Sequence, residues 1–249
     1  MRIELLSKLA RKRVFTIGEA AKITGLDRNT LKVLLSRLEK RGWVERIEKG
    51  KYIIIPLGAE KGEYTLHEFI IGSLLVKPSA IAYWSALNYH GFTEQIPSTV
   101  FVQTTARKKK QDIRVFGVRY KIVRIKPEKY FGVEKTWIEE FQVPITDREK
   151  TVVDCLDKPR YCGGIIEVAK AFMEELNAET LRGYALRMNN SAVIRRLGYL
   201  CDYFGVDIDL PKPKPKTRNY VLLDPTMPRE GHVDSKWRVI ANVELEGLE

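Results

Sequence analysis

Residues 14 to 56 carry the densest structural punctuation in the chain, and that punctuation leaves few shapes open. Thr16 and Glu19 precede an apolar run at the spacing of a capping box, in which each side chain accepts from the other residue's N–H. Ile17, Ala20, Ala21 and Ile23 predict a short helix, and the two alanines let another helix approach closely. Gly25 suits the left-handed conformation that stops a helix. Leu26 plugs the turn, and Asp27 is a good N-cap for a second helix. From about Arg28 to Arg41, Leu31, Leu34, Leu35 and Leu38 recur at one helical stripe. Gly42 ends that helix. Residues 43–47 and 52–55 then predict a hairpin, turning at Glu48-Lys49-Gly50-Lys51. A further helix over 3–11, with Ile3, Leu5, Leu6 and Leu9, is expected to pack behind.

This order is the sequence form of a winged helix-turn-helix, in which the second helix enters a DNA groove and a basic hairpin flanks it. Opposite the leucine stripe lie Asn29, Val33, Ser36 and Lys40, flanked by Lys32 and Arg37. Arg28, Asn29, Lys32 and Ser36 are the expected groove-facing set, because the N-terminal residues of a recognition helix reach base edges; Thr30 and Arg37 adjoin them. Asn pairs bidentately with adenine, and Arg or Lys with guanine. Lys40 and Arg41 are expected on phosphates, which position the protein without reading sequence. Arg46, Lys49 and Lys51 are the cations of the wing. Residues 1–58 hold 14 Lys and Arg against 6 Asp and Glu, so +8 of the chain's +11 lies in this segment. A basic excess concentrated on such a module is an electrostatic footprint for phosphate, whereas a module serving protein contacts alone needs no such excess.

At 249 residues the chain has room for two domains. The expected fold class is α+β: a DNA-binding domain over 1–58, a polar linker at Gly58 to Gly62, and a mixed α/β domain over 63–249 with a helical part at about 163–205. Thr65 and Glu68 predict a second capping box for a helix ending near Leu75. Ser79 is expected to cap a helix AIAYWSALNYH that stops at Gly91, with His90 near its C-terminus. Its aromatics read as core. Strands are expected at 98–105, 113–116 and 119–125, with Arg107-Lys108-Lys109-Lys110 as a basic loop that is either a solvated tip or a second phosphate contact. Thr146 and Glu149 predict a third capping box for ITDREKTVVDCLD. Helices are expected at 164–176, 178–188 and 192–204, the last capped by Ser191. Arg182, Arg187, Arg195 and Arg196 are expected on solvated faces, open to an acidic partner. PKPKPK, from Pro211, should be extended polyproline. Two strands, 219–224 and 236–243, close the chain.

No 18-residue apolar run is present, so no membrane span is expected. The start MRIELLSKLARKR does not read as a signal peptide. Cys155, Cys162 and Cys201 are odd in number and widely spaced, which suits buried free thiols and a cytoplasmic location. His67, His90 and His232 lack metal spacing. With no phosphate loop, dinucleotide fingerprint or nucleophile elbow, neither a catalytic residue nor a cofactor is expected. The cluster Asp147, Glu149, Lys150 and Asp154 raises a metal-dependent nuclease as an alternative, but Glu149 and Lys150 are adjacent on a helix start, where capping accounts for them.

The N-terminal module, AIAYWSALNYHGFTEQIPSTVFVQTT, ITDREKTVVDCLD and LLDPTMPREGHVDSKWRVIANVEL come in an order that resembles the AbiEi antitoxin family, over nearly the whole chain. None is a catalytic signature. The resemblance implies a regulator of a type IV toxin–antitoxin pair that binds inverted repeats in its own promoter as double-stranded DNA. It also implies a C-terminal domain that counters a nucleotidyltransferase toxin without a stable complex. A two-fold operator would imply a homodimer. A stand-alone regulator without a toxin is the other expectation from such relatives, and the long helical C-terminal region with PKPKPK departs from the family.

Overall fold

The computed structural model describes residues 9, 13–55, 66–214 and 219–248. It is a mixed α/β chain of two compact units, one formed by residues 1–71 with 114–118 and the other by 72–113 with 119–249. The expected helix over 3–11 lies outside the described residues apart from Leu9. The 58–62 linker, the Thr65 cap and the end of PKPKPK also lie outside them.

In the first unit, β1 (Val14–Thr16) leads into α1 (Ile17–Thr24) and α2 (Arg28–Lys40), then β2 (Val44–Glu48) and β3 (Lys51–Ile54). The three strands form an antiparallel sheet in the order β1-β3-β2. The strand β1 is not expected from sequence; only three residues long, it shows no alternation to read. Leu31, Leu35 and Leu38 of α2 close a core with Leu9, Phe15, Ala20, Val44 and Tyr52. Phe15 and Tyr52, opposite one another on β1 and β3, stack at 5.9 Å. The expected stripe residue Leu34 packs at the margin of this core, partly exposed.

Past α3 (Glu68–Leu75) come β4 (Ala80–Ile81), α4 (Trp84–Tyr89), β5 (Thr99–Thr104), β6 (Asp112–Val115) and β7 (Val118–Arg124). A single 3-10 turn, Pro127–Lys129, precedes β8 (Val133–Ile138), β9 (Phe141–Thr146) and α5 (Arg148–Asp157). The six strands β4 to β9 form one sheet in the order β6-β7-β5-β4-β9-β8. It is mixed: β5 runs parallel to β7 and β4 parallel to β9, while β4–β5 and β8–β9 are antiparallel. After a 3-10 turn at Pro159–Tyr161 come α6 (Ile165–Ala169), a second turn at Lys170–Met173, α7 (Ala178–Arg187) and α8 (Ser191–Phe204). A small sheet of β10 (Val221–Leu222), β11 (His232–Asp234) and β12 (Val239–Ala241) ends the chain, with β12 central. The core of this unit joins Val152, Val153 and Leu156 of α5 to Leu181, Leu197, Leu200 and Trp237.

Several local expectations fail for identifiable reasons. Ser79 does not cap a helix: Ala80 and Ile81 form a central strand between β5 and β9, and the Ser79 hydroxyl donates to the Ser73 carbonyl at 2.8 Å. The apolar Ala80-Ile81-Ala82 run is fully buried, a pattern that fits a buried strand as well as a helix. At α5 the cap is Asp147, which accepts from the Lys150 N–H at 2.7 Å. Thr146 instead bonds the Thr151 hydroxyl at 2.7 Å, and Glu149 accepts from the Asn177 N–H at 2.8 Å. Asn190, not Ser191, caps α8, accepting from the Ala192 N–H at 3.0 Å. The helix expected over 164–176 tightens into 3-10 geometry after Ala169. The β8–β9 hairpin and β11 have no counterpart among the expected strands. Arg195 and Arg196 are buried, not solvated: their guanidinium groups donate to the carbonyls of Asn219, Leu222 and Leu156 at 2.8 to 3.0 Å.

Candidate nucleic-acid interface

The outward face of α2 is set by three local devices. The capping box on α1 is complete: the Thr16 N–H donates to Glu19 Oε2 at 2.8 Å, and the Glu19 N–H donates to Thr16 Oγ1 at 3.1 Å. Gly25 takes the left-handed conformation at φ 73°, and its N–H reaches Ala21 O at 2.9 Å, which closes α1 and reverses the chain. Asp27 caps α2, accepting from the Asn29 and Thr30 N–H groups at 2.9 and 3.1 Å. The Thr30 hydroxyl also donates to its carboxylate. These bonds, the Thr30 hydroxyl foremost, hold the Asp27 carboxyl below its ordinary value. Two helices joined by a tight turn therefore meet with the leucine stripe of α2 turned inward.

Everything opposite that stripe faces solvent. Arg28, Asn29, Thr30, Lys32, Ser36, Arg37 and Lys40 are all exposed. Among the described residues, no carboxylate pairs with Arg28, Lys32, Arg37 or Lys40, so their charge is undiluted. Val33 lies among them with 54% of its surface open. The Arg41 guanidinium lies over the Trp43 ring at 5.7 Å, next to where the helix gives way to β2.

The β2–β3 hairpin turns at Lys49 and Gly50, the latter at φ 82°. Its tip is anchored, because the Ile17 N–H donates to Gly50 O at 2.8 Å and so joins the hairpin to the start of α1. Arg46 and Lys49 are exposed, and Arg46 Nε reaches Glu48 O at 3.4 Å. Lys51 is placed differently from its expected role: half-buried, it pairs with Glu48 at 2.7 Å, which spends much of its charge locally. The i,i+3 spacing of Glu48 and Lys51 is the sequence signal that marks this pair.

The other chemistry-bearing cluster has a structural explanation. Lys150 and Asp154 form an ion pair with both side chains essentially inaccessible, at 0% and 2% exposure. Asp147 is occupied by the α5 cap and by the Tyr184 hydroxyl at 2.9 Å. No group of three or more His, Cys, Asp or Glu side chains fit to hold a metal ion occurs among the described residues. Cys155, Cys162 and Cys201 are free and buried. Among the described residues no helix is long and apolar enough to cross a membrane.

A mixed α/β protein carrying an exposed, cationic second helix and a basic hairpin at its N-terminus is the class these elements define. Residues 4–55 match the family model described as the AbiEi antitoxin transcriptional regulator. The similar segments at 80–105, 145–157 and 222–245 lie outside that match. No curated protein matches the chain. In fold it is similar to the crystal structure of the RV2827C protein from Mycobacterium tuberculosis, with a TM-score of 0.65 at 15% identity over 95% of this chain and 89% of that one.

Proposed function

We propose that the protein is a DNA-binding transcriptional regulator whose N-terminal segment is a winged helix-turn-helix, and that it acts as the autorepressing antitoxin of an AbiE-like pair. The observation that carries this reading is the unneutralised outer face of α2, with Arg28, Asn29, Lys32 and Ser36 at its leading end. The family match over residues 4–55 supports the regulator role. In this reading the helix enters the major groove, Lys40 and Arg41 contact phosphate, and Arg46 and Lys49 on the wing hold the adjacent backbone. Occupancy of the promoter excludes polymerase. Two copies would bind an inverted repeat, and a nucleotidyltransferase encoded beside the gene would be the functional partner.

A gel shift with DNA from upstream of the gene is the test. A shift that weakens steeply with salt is expected, and its absence at sub-micromolar protein would end the proposal. Arg28→Ala and Asn29→Ala should each weaken specific binding by about 1–3 kcal/mol while leaving non-specific binding nearly intact. The antitoxin half has a separate test: co-expression should relieve growth arrest by the neighbouring nucleotidyltransferase. Persistent arrest would leave the stand-alone regulator as the reading.

A further inference from the structure

We propose that a cleft in the second unit, between the end of β7, the turn after α5 and the start of α8, is a binding site for a small phosphate-bearing ligand of nucleotide size. The cleft has a volume of about 750 Å³. That lies within the range of small-molecule sites and far exceeds what a bare phosphate fills. Six cations line it from three separate segments: Arg124 and Lys126 at the end of β7, with Lys129 on the next turn; Lys158 and Arg160 after α5; and Arg196 on α8. Two acids are present, and neither balances them. Asp157 already accepts from Lys129 at 3.0 Å and from the Asn190 amide at 2.7 Å. Glu128 is largely exposed and stands 3.8 Å from Lys126.

The remaining cations are held without counter-charge. Among the described residues Lys158 and Arg160 make no ion pair; Arg160 rests on the Tyr161 ring at 4.8 Å. Burial, together with Lys129 and Arg160 nearby, pushes the Lys158 ammonium below its ordinary value, with Asp157 opposing. Arg196 is fixed by carbonyls on two sides, so its charge is preorganised and not free to fold away. Bringing like charges together in a partly desolvated hollow is unfavourable until an anion occupies it. Ile125, Pro159, Met188 and Pro225 supply apolar wall for the organic part of a ligand. Convergence on a concavity favours a compact polyanion, since a nucleic-acid strand needs charge laid along a groove.

All these residues lie within 119–249, so the proposal stands or falls apart from the DNA reading. Calorimetric titration of the full chain with ADP, inorganic pyrophosphate and a short single-stranded oligonucleotide, at constant ionic strength, tests it. Saturable binding of ADP, with pyrophosphate competing, is expected. The double variant Lys158→Met/Arg160→Gln should weaken ADP binding by about tenfold or more while retaining the circular dichroism spectrum and the promoter-DNA shift. Should that variant fail to fold, the exposed substitution Lys126→Glu should weaken ADP binding in the same direction. Absence of saturable binding by ADP and pyrophosphate, wild-type affinity in the folded variants, or binding of the oligonucleotide alone would overturn the proposal.

Discussion

Lys150 and Asp154 put a full ion pair where solvent does not reach, and the pair is only half satisfied. Asp154 Oδ1 meets the ammonium, while Oδ2 has no hydrogen-bond partner. Burial pushes the Asp154 carboxyl up and Lys150 draws it back down. The ammonium also lies over the Phe131 ring at 4.7 Å. Asp154→Ala should therefore cost about 3–5 kcal/mol, because it strands a buried cation, whereas Lys150→Met with Asp154→Leu should recover most of that loss. Urea denaturation of the single and double variants measures it, and equal losses in both would refute the coupling. His90 supplies a pH dependence. Its Nε2 lies 2.7 Å from Thr146 O, and burial holds the imidazole below its ordinary value of 6.5. The unfolded chain thus binds the proton more readily, so this contribution is fully present above pH 6.5 and is lost as pH falls from there through the depressed folded value. Thermal melts should show a steeper loss from neutral to mildly acidic pH in the wild type than in His90→Asn; parallel curves would count against it. The i,i+4 spacing of Lys150 and Asp154 is visible in the sequence, but its burial is not, because depth depends on what packs over the helix.

At the scale of elements, legibility tracks the strength of local chemistry. The Thr16–Glu19 box, the Gly25 stop and the Asp27 cap are all readable, since each is completed by residues within four positions. The β4 strand is not, because its two residues are strand only by virtue of β5 and β9 on either side. Asn190 escapes notice as the cap of α8 because Ser191, beside it, is an equally plausible capping type. Gly198 illustrates a tertiary demand that no local pattern displays. A methyl group there would lie 2.5 Å from the Trp237 ring, which is itself tied by its indole N–H to Asp202 at 2.6 Å. Gly198→Ala should accordingly destabilise the protein by about 1–3 kcal/mol despite the better helix propensity of alanine. A rise in melting temperature would show that the indole yields freely.

Over the whole molecule, the N-terminal excess of positive charge is legible from composition alone, while the cleft of the second unit is hidden. Its cations are scattered between Arg124 and Arg196, and only the packing of three elements makes them neighbours. If the N-terminal face holds a duplex, each phosphate contact contributes to the salt dependence of binding. Lys49→Ala should then flatten the slope of affinity against salt by about one unit with little change in sequence preference. A gel-shift titration across several salt concentrations reads both, and an unchanged slope would remove Lys49 from the backbone-contacting set. The Ile17–Gly50 bond bears on the same surface. Because it clamps the hairpin to the base of the preceding helix, the two DNA-facing parts cannot slide against each other, and the footprint has a fixed span. Inserting a single base pair within one half-site should then abolish recognition, since a clamped reader has no slack with which to accommodate a shifted phosphate.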